Sequence, residues 1–506
     1  MYACPNCGAG LKFHITSQDL FCEHCDSHYD PYKITKDKDG VPAAWYETTV
    51  YTCPYCGGEI VSEDEEAAAF CSYCGGSTVL TARLEQLEKP ARIIPFQITK
   101  EGCKEAYAKK MRRAFFSPKA IRSEECIESF RGIYMPYWMY HVKSDEKIRI
   151  DGTETYVSGS YTVTDYYHVS GHMETEYPDI PFDASEPFSD RLSSAILPYD
   201  MSALRTFTPS MLSGFYADRA NVEKEAYQEE ALQSAREETI RRLEGDPELQ
   251  EMTLDVPEEE DFSLDVVDCS CALLPVWFFS YRDGDRVSYA AVNGQTGKVF
   301  ADTPIDPKRY SAASLLLALP IFLLLNLFLT LRPQTVLNLA ALFLLFSAFL
   351  FRKNVRELEN RLQNMRMKVK REKEEDKKSV LARIGTILIT VLAFLVIGLY
   401  PLIFAYAFLD YLAPLAVLVY LIIWVRPLRK QQSALGTKAI AVSAGAAICM
   451  LLLSIARPAA DLFYYGGVVL CMAAVLFMIY TLIQSYNLLS TQPLPQFNRT
   501  GGDDRA

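Results

Sequence analysis

The sequence predicts a multidomain chain with two small β ribbons, an α+β domain after them, and an all-α membrane region of six spans. Three observations carry that expectation. Eight cysteines form two equivalent sets within the first 76 residues, strand-like and helix-like segments mix over residues 90–305, and uncharged runs of membrane length begin just after Ser311. At 506 residues the chain is long enough for several domains.

The ribbons come first. Cys4, Cys7, Cys22 and Cys25 form one set, and Cys53, Cys56, Cys71 and Cys74 repeat it at a constant displacement of 49 positions. Two thiolates two residues apart grip a metal from one tight turn, and a second pair completes a tetrahedron. Four sulfurs leave no open coordination position, so the sets predict two structural Zn2+ sites rather than catalytic ones. Each leading pair reads Cys-Pro-x-Cys-Gly, where Pro pre-sets the turn and Gly lets the backbone fold under the metal. Iron in a rubredoxin-like site and disulfides are the alternatives the spacing leaves open. The ribbons are assigned to residues 1–35 and 50–80, with Lys36-Asp37-Lys38-Asp39-Gly40 as a solvated linker. His14, His24 and His28 stand outside the ligand sets because both sets are already complete. Cys269-x-Cys271 precedes an apolar strand-like run and reads as core packing.

Charge separates the possible partners. The net charge of −12 hides an asymmetry: residues 1–310 carry 31 Lys+Arg against 53 Asp+Glu, and residues 311–506 carry 20 against 10. Residues 1–40 hold four cations against six anions, and residues 41–90 hold two against eight. A nucleic-acid binder gains affinity by neutralising phosphates, which these ribbons would repel. Protein recognition is the better reading. Because Met1-Tyr2-Ala3-Cys4 leads straight into the first cysteine pair, this part is expected in the cytoplasm, where thiols stay reduced.

Residues 90–305 read as a cytoplasmic α+β domain. Residues 93–98 are strand-like, 100–115 fit an amphipathic helix with Lys109, Lys110, Arg112 and Arg113 on its polar side, and 217–245 read as a charged helix. Met135-Pro136-Tyr137-Trp138-Met139-Tyr140 has an echo in Leu274-Pro275-Val276-Trp277-Phe278-Phe279, which suggests two related β-units with core tryptophans. Asn293-Gly294 marks a hairpin turn.

The order of these segments carries a resemblance. A double Cys-Pro-x-Cys-Gly ribbon is followed by Ile94-Pro95-Phe96, a basic helix, Phe116-Ser117-Pro118-Lys119 and Gly132-Ile133-Tyr134-Met135-Pro136-Tyr137-Trp138. Over roughly residues 1–305 this resembles bacterial membrane-anchored double zinc-ribbon proteins, often labelled transcription-factor-IIB-type zinc ribbon or primosomal protein N-prime. The resemblance implies a scaffold at the cytoplasmic face of the bacterial cell membrane, with phage-shock-protein-A-like or flotillin-like envelope-stress proteins as partners. The large membrane region departs from that pattern.

Six spans are expected: 312–331, 334–351, two within 384–425 broken around Asp410, 439–456 and 462–489. They divide into residues 311–351 and 384–489, separated by a basic cytoplasmic helical loop at 352–383 and followed by a cytoplasmic tail at 490–506. That loop carries Val355, Leu358, Leu362, Met365 and Val369 at helical spacing. It reads either as a helix that pairs with a partner or lies on anionic lipid, or as a solvated extension of the second span. Lys308, Arg309, the 352–383 loop, Arg426, Arg429, Lys430 and Lys438 all fall on one side, which places both termini in the cytoplasm.

No phosphate-cradling loop and no G-x-S-x-G element is present, and Gly294-Gln295-Thr296-Gly297-Lys298 has the wrong spacing for the former. Asp410 and Asp461 fall at predicted helix ends, where charge is cheap. His168 and His172 have helical metal-pair separation but lie in a strand-like segment. The chain is therefore expected to be non-enzymatic: a multi-pass membrane scaffold whose ribbons and α+β domain recruit protein partners. A transporter or channel with a zinc-ribbon regulatory domain is the alternative, and a membrane-tethered nucleic-acid binder the third reading.

Overall fold

The computed structural model describes residues 2–34, 44–62, 71–76, 78–186, 188, 190–246, 249, 253–255, 263–328, 332–367, 413–420 and 434–497. They fall into two compact units. One comprises Met1–Phe115, Lys119–Asp302 and Pro493–Ala506, and the other Phe116–Pro118 and Thr303–Gln492.

In the first unit, β1 (Lys12–His14), β2 (Asp19–Phe21) and β3 (His28–Tyr29) form a small antiparallel sheet of their own. The remaining strands join one large sheet. These are β4 (Trp45–Thr52), β5 (Glu59–Val61), β6 (Thr81–Glu88), β7 (Arg92–Ile93), β8 (Arg131–Ser158), β9 (Tyr161–Asp183), β10 (Arg205–Thr206), β11 (Tyr216–Ala217), β12 (Thr253–Asp255), β13 (Asp265–Asp283), β14 (Arg286–Asn293), β15 (Val299–Ala301) and the short β16 (Gln492–Pro493), which pairs with β14. Along its main path the order is β10-β7-β13-β8-β11-β5-β4-β6.

The sheet is built on the two segments whose sequences echo each other. They pair antiparallel, Met135 opposite Leu274 and Ile133 opposite Val276. Pro lacks the N–H that a central strand needs, so each proline sits where the neighbour on its other side stops. The pairing of β9 with β8 ends opposite Tyr137, next to Pro136, and that of β14 with β13 ends opposite Val276, next to Pro275. Trp277 is the core anchor expected, buried with its indole donating to the Ile98 carbonyl (2.8 Å), whereas Trp138 is only half-buried and donates to the Val222 carbonyl (2.9 Å).

Strand alternation sends neighbouring residues to opposite faces, and both faces are covered. Leu273, Trp277 and Phe279 join Leu11, Leu20 and the helix α1 (Lys100–Arg113) in one cluster. Leu274, Val276 and Phe278 join Cys53, Cys71 and the helix α3 (Asp190–Ile196) in the other. Helix α1 follows its sequence pattern. Thr99 caps it by accepting the Gly102 N–H, Cys103, Tyr107 and Met111 are buried, and Lys109, Lys110, Arg112 and Arg113 face outward. A short helix α2 (Glu124–Glu128) follows it. The charged helix expected from residue 217 begins later, as α4 (Gln228–Glu244), because Tyr216–Ala217 pair in parallel with Ile133–Tyr134 of β8.

The second unit contains α5 (Pro307–Phe328), α6 (Pro333–Met367), α7 (Ala434–Ala456) and α8 (Asp461–Ser490). Among the described residues, three helices are long and apolar enough to cross a membrane: Pro333–Val355, Thr437–Ala456 and Asp461–Ser490. Three of the six expected spans, 334–351, 439–456 and 462–489, coincide with these helices. The first predicted run, 312–331, overlaps α5 as far as Phe328, its last three residues lying outside the described ones; α5 carries Pro320 inside it and is not one of the three. Of the two predicted within 384–425, only the helical residues 413–420 fall among the described ones. Helix α6 continues past its span to Met367, so the 352–383 loop is helical that far, as both readings of it expected, and its remainder lies outside the described residues. Packing among these helices depends on small residues: a Cβ on Gly467 of α8 would lie 2.6 Å from the Leu337 side chain and 2.9 Å from that of Leu453.

Candidate metal centres

All four cysteine pairs fold into the same knuckle. In each, the first cysteine's carbonyl accepts the N–H of the residue four positions on: Gly8 to Cys4 (2.8 Å), Asp26 to Cys22 (2.9 Å), Gly57 to Cys53 (2.9 Å) and Gly75 to Cys71 (3.0 Å). That residue has positive φ in Gly8, Gly57 and Gly75, and also in Asp26 (φ 53°), which alone carries a side chain there. Each knuckle is closed by a second bond in which the leading cysteine's N–H donates to the carbonyl five residues on, as in Cys53 to Gly58 (2.9 Å). The backbone therefore aims two sulfurs the same way from every turn.

The eight predicted residues come together as two separate sets, and within each set the four sulfurs lie within 4.8 Å of one another. Cys4 and Cys25 Sγ are 3.5 Å apart and Cys7 and Cys22 3.4 Å; in the second set Cys53–Cys74 measures 3.8 Å and Cys56–Cys71 3.6 Å. A tetrahedral site with metal–sulfur bonds of about 2.3 Å requires sulfurs ~3.8 Å apart. All eight thiols are free, which removes the disulfide alternative. Two Cys4 groups are thus positioned to bind metal ions, and the donor set suits zinc.

The centres differ in exposure. In the first, Cys7 is exposed and Cys25 half-buried. In the second, all four cysteines are buried, none more than 4% exposed. The cause is tertiary. The strands flanking the second ribbon, β4 and β5, belong to the large sheet, with β5 paired to β11 and β4 to β6. Tyr73, between Cys71 and Cys74, is fully buried, and its carbonyl accepts the Tyr289 hydroxyl of β14 at 2.9 Å. Burial opposes ionisation of Cys4, but the Tyr29 hydroxyl 3.6 Å away and the amides of Cys7 and Asn6 bring its thiol down to about 6. In the second set, hydrogen bonding from Cys56 lowers Cys53, while sharing protons with Cys53 raises Cys71. Two thiols in each set, Cys4 with Cys25 and Cys53 with Cys74, are lowered, which suits stepwise metal capture.

The histidines join neither centre. His14 bonds Ser17 Oγ (2.7 Å) and His28 bonds Asp19 (2.8 Å). His168 and His172 lie on β9, each paired across the hairpin with an acid of β8, Asp151 (2.5 Å) and Asp145 (2.8 Å) respectively. A feature that sequence reasoning missed is the hairpin itself. Beyond Lys143, where β13 leaves β8, the two strands continue as a ribbon to a tip at Ser158 and Tyr161.

The chain is 30% identical to "Uncharacterized protein YdjG" of Bacillus subtilis (strain 168) over 318 residues, 62% of this chain and 92% of the relative. The chain belongs to the YdjG family. No family model and no solved structure matches it. As a YdjG-family member it combines two Cys4 centres, a sheet-rich unit, and apolar helices of membrane-crossing length.

Proposed function

We propose that this YdjG-family protein is a multi-pass membrane scaffold whose two zinc centres hold a cytoplasmic sheet domain rigid for recruiting protein partners. The observation that carries the reading is the pair of closed four-sulfur sets on opposite faces of one sheet, a design that staples and leaves no metal position for substrate. The β8–β9 hairpin supplies a recognition surface. Tyr156, Val157, Tyr161 and Tyr166 stand exposed towards its end, and tyrosine is the side chain interfaces favour. Placement of both termini on one side is supported by the chain's return at Pro493 to the unit it leaves at Asp302, which calls for an even number of crossings. Eight unoxidised thiols suit the cytoplasmic side. The partners to try first are those the family resemblance implies, phage-shock-protein-A-like and flotillin-like proteins.

The experiment is photo-crosslinking in intact cells from a reactive residue replacing Tyr161, with loss of both centres (Cys4→Ser with Cys53→Ser) as the comparison. A discrete protein adduct that disappears on loss of the centres is expected. Adducts unaffected by the double substitution, or their complete absence, would overturn the scaffold reading.

A further inference from the structure

The second metal centre is covered by the far end of its own chain. Residues from Pro493 onward belong to the sheet-bearing unit, although Thr303–Gln492 lie between. Leu494 donates its N–H to the Asp285 carbonyl (3.3 Å), and Phe497 donates to the carbonyl of Cys56, a predicted metal ligand, at 2.7 Å. The Phe497 ring stands edge-on to Tyr73 with centroids 5.9 Å apart, and a Cβ placed on Gly58 would lie 3.4 Å from Phe497 Cδ2. Leu494 and Phe497 pack on the cluster that contains all four sulfurs of this centre.

Every group that receives Phe497 is part of the metal knuckles. Cys56 supplies a sulfur, Gly58 follows two residues later with its N–H 3.4 Å from Cys56 Sγ, and Tyr73 lies between Cys71 and Cys74. A bound metal fixes the directions of these backbones, and without it the carbonyl, the glycine surface and the ring lose their common geometry together. The tail in turn covers the knuckle. Two ligands that each stabilise the same local structure raise one another's affinity by the same factor.

We propose that the second ribbon is a docking site for a short apolar, proline-containing peptide. Its own Leu494–Phe497 segment occupies it in cis, and the grip depends on metal in the second centre. This rests on the zinc reading above. Metal loss would free the tail and open the same site to a similar peptide from another protein.

The test is hydrogen exchange by mass spectrometry on the zinc-loaded full-length protein in nanodiscs, with metal content measured on the same samples. Pro495 has no amide, so Leu494, Gln496 and Phe497 report the segment. Protection is expected in the parent and in Cys4→Ser, with exchange about tenfold faster in Cys71→Ser, a coupling of about 1.4 kcal/mol. Phe497→Ala, which leaves all ligands in place, should speed metal loss from the second centre about tenfold and leave the first unchanged. A fully metallated protein with an unprotected tail, or Phe497→Ala without effect on metal loss, would overturn the docking proposal alone. A protected tail in protein lacking the second metal would overturn the metal dependence together with the zinc reading.

Discussion

Release of metal to a chelator should separate the two centres by orders of magnitude. A chelator displaces a metal by approaching a bound sulfur, and in the first centre Cys7 is exposed in the native state, so attack needs no unfolding. In the second, all four sulfurs are buried under the tail, Tyr73 and the β13–β14 hairpin. Reaching them requires a local opening, and sub-global openings in a packed region cost about 3–4 kcal/mol. That corresponds to release slower by roughly 10²–10³-fold. The assay is absorbance of a coloured zinc chelator mixed with the loaded protein. Two phases of equal amplitude are expected, the fast one lost in Cys7→Ser and the slow one lost in Cys53→Ser. A single phase, or a fast phase belonging to the second centre, would refute the argument from burial.

Three further outcomes follow from the same geometry. Asp26 is the non-glycine among four equivalent knuckle positions, so Asp26→Gly should relieve about 0.5–1 kcal/mol of left-handed strain and tighten zinc at the first centre about two- to fivefold in a competition titration. Burial pushes Asp183 up to about 7 and Asp218 and Asp302 up to about 6. The folded state then holds more protons than the unfolded state between about pH 4 and 7, so their contribution to stability falls as pH rises through that window. Asp183→Asn should raise stability at pH 8 by about 1–3 kcal/mol and flatten the change in denaturant midpoint between pH 6 and 8. Gly467→Leu should disrupt packing among α6, α7 and α8 and lower yield from membranes, whereas Gly466→Leu, with open space at its Cβ, should be tolerated.

What the sequence made legible was local. The ligand sets followed from spacing alone, because each knuckle is closed by bonds four and five residues apart. Helix α1 followed from its amphipathic pattern, with Lys109, Lys110, Arg112 and Arg113 on the polar side. The echo around the two prolines marked the central strands, though not that they pair with each other. What stayed hidden depends on distant residues. Burial alternates with period two along the β8–β9 ribbon, but the sheltered positions mix Ser144, Glu146, Gly152 and Asp165 with apolar residues, so the sequence carries no matching hydrophobic alternation. Ala217 reads as helix by composition and is a strand only because β5 and β8 lie on either side. Leu494–Phe497 resembles a linker, and its role appears only where Phe497 meets Cys56.

The most direct test of the account is zinc analysis combined with X-ray absorption on the full-length protein purified without added metal. Two zinc ions per chain, each with four sulfur neighbours at about 2.3 Å, are expected. One ion or none, or a shell containing nitrogen or oxygen, would contradict the claim that two closed four-sulfur centres staple the sheet.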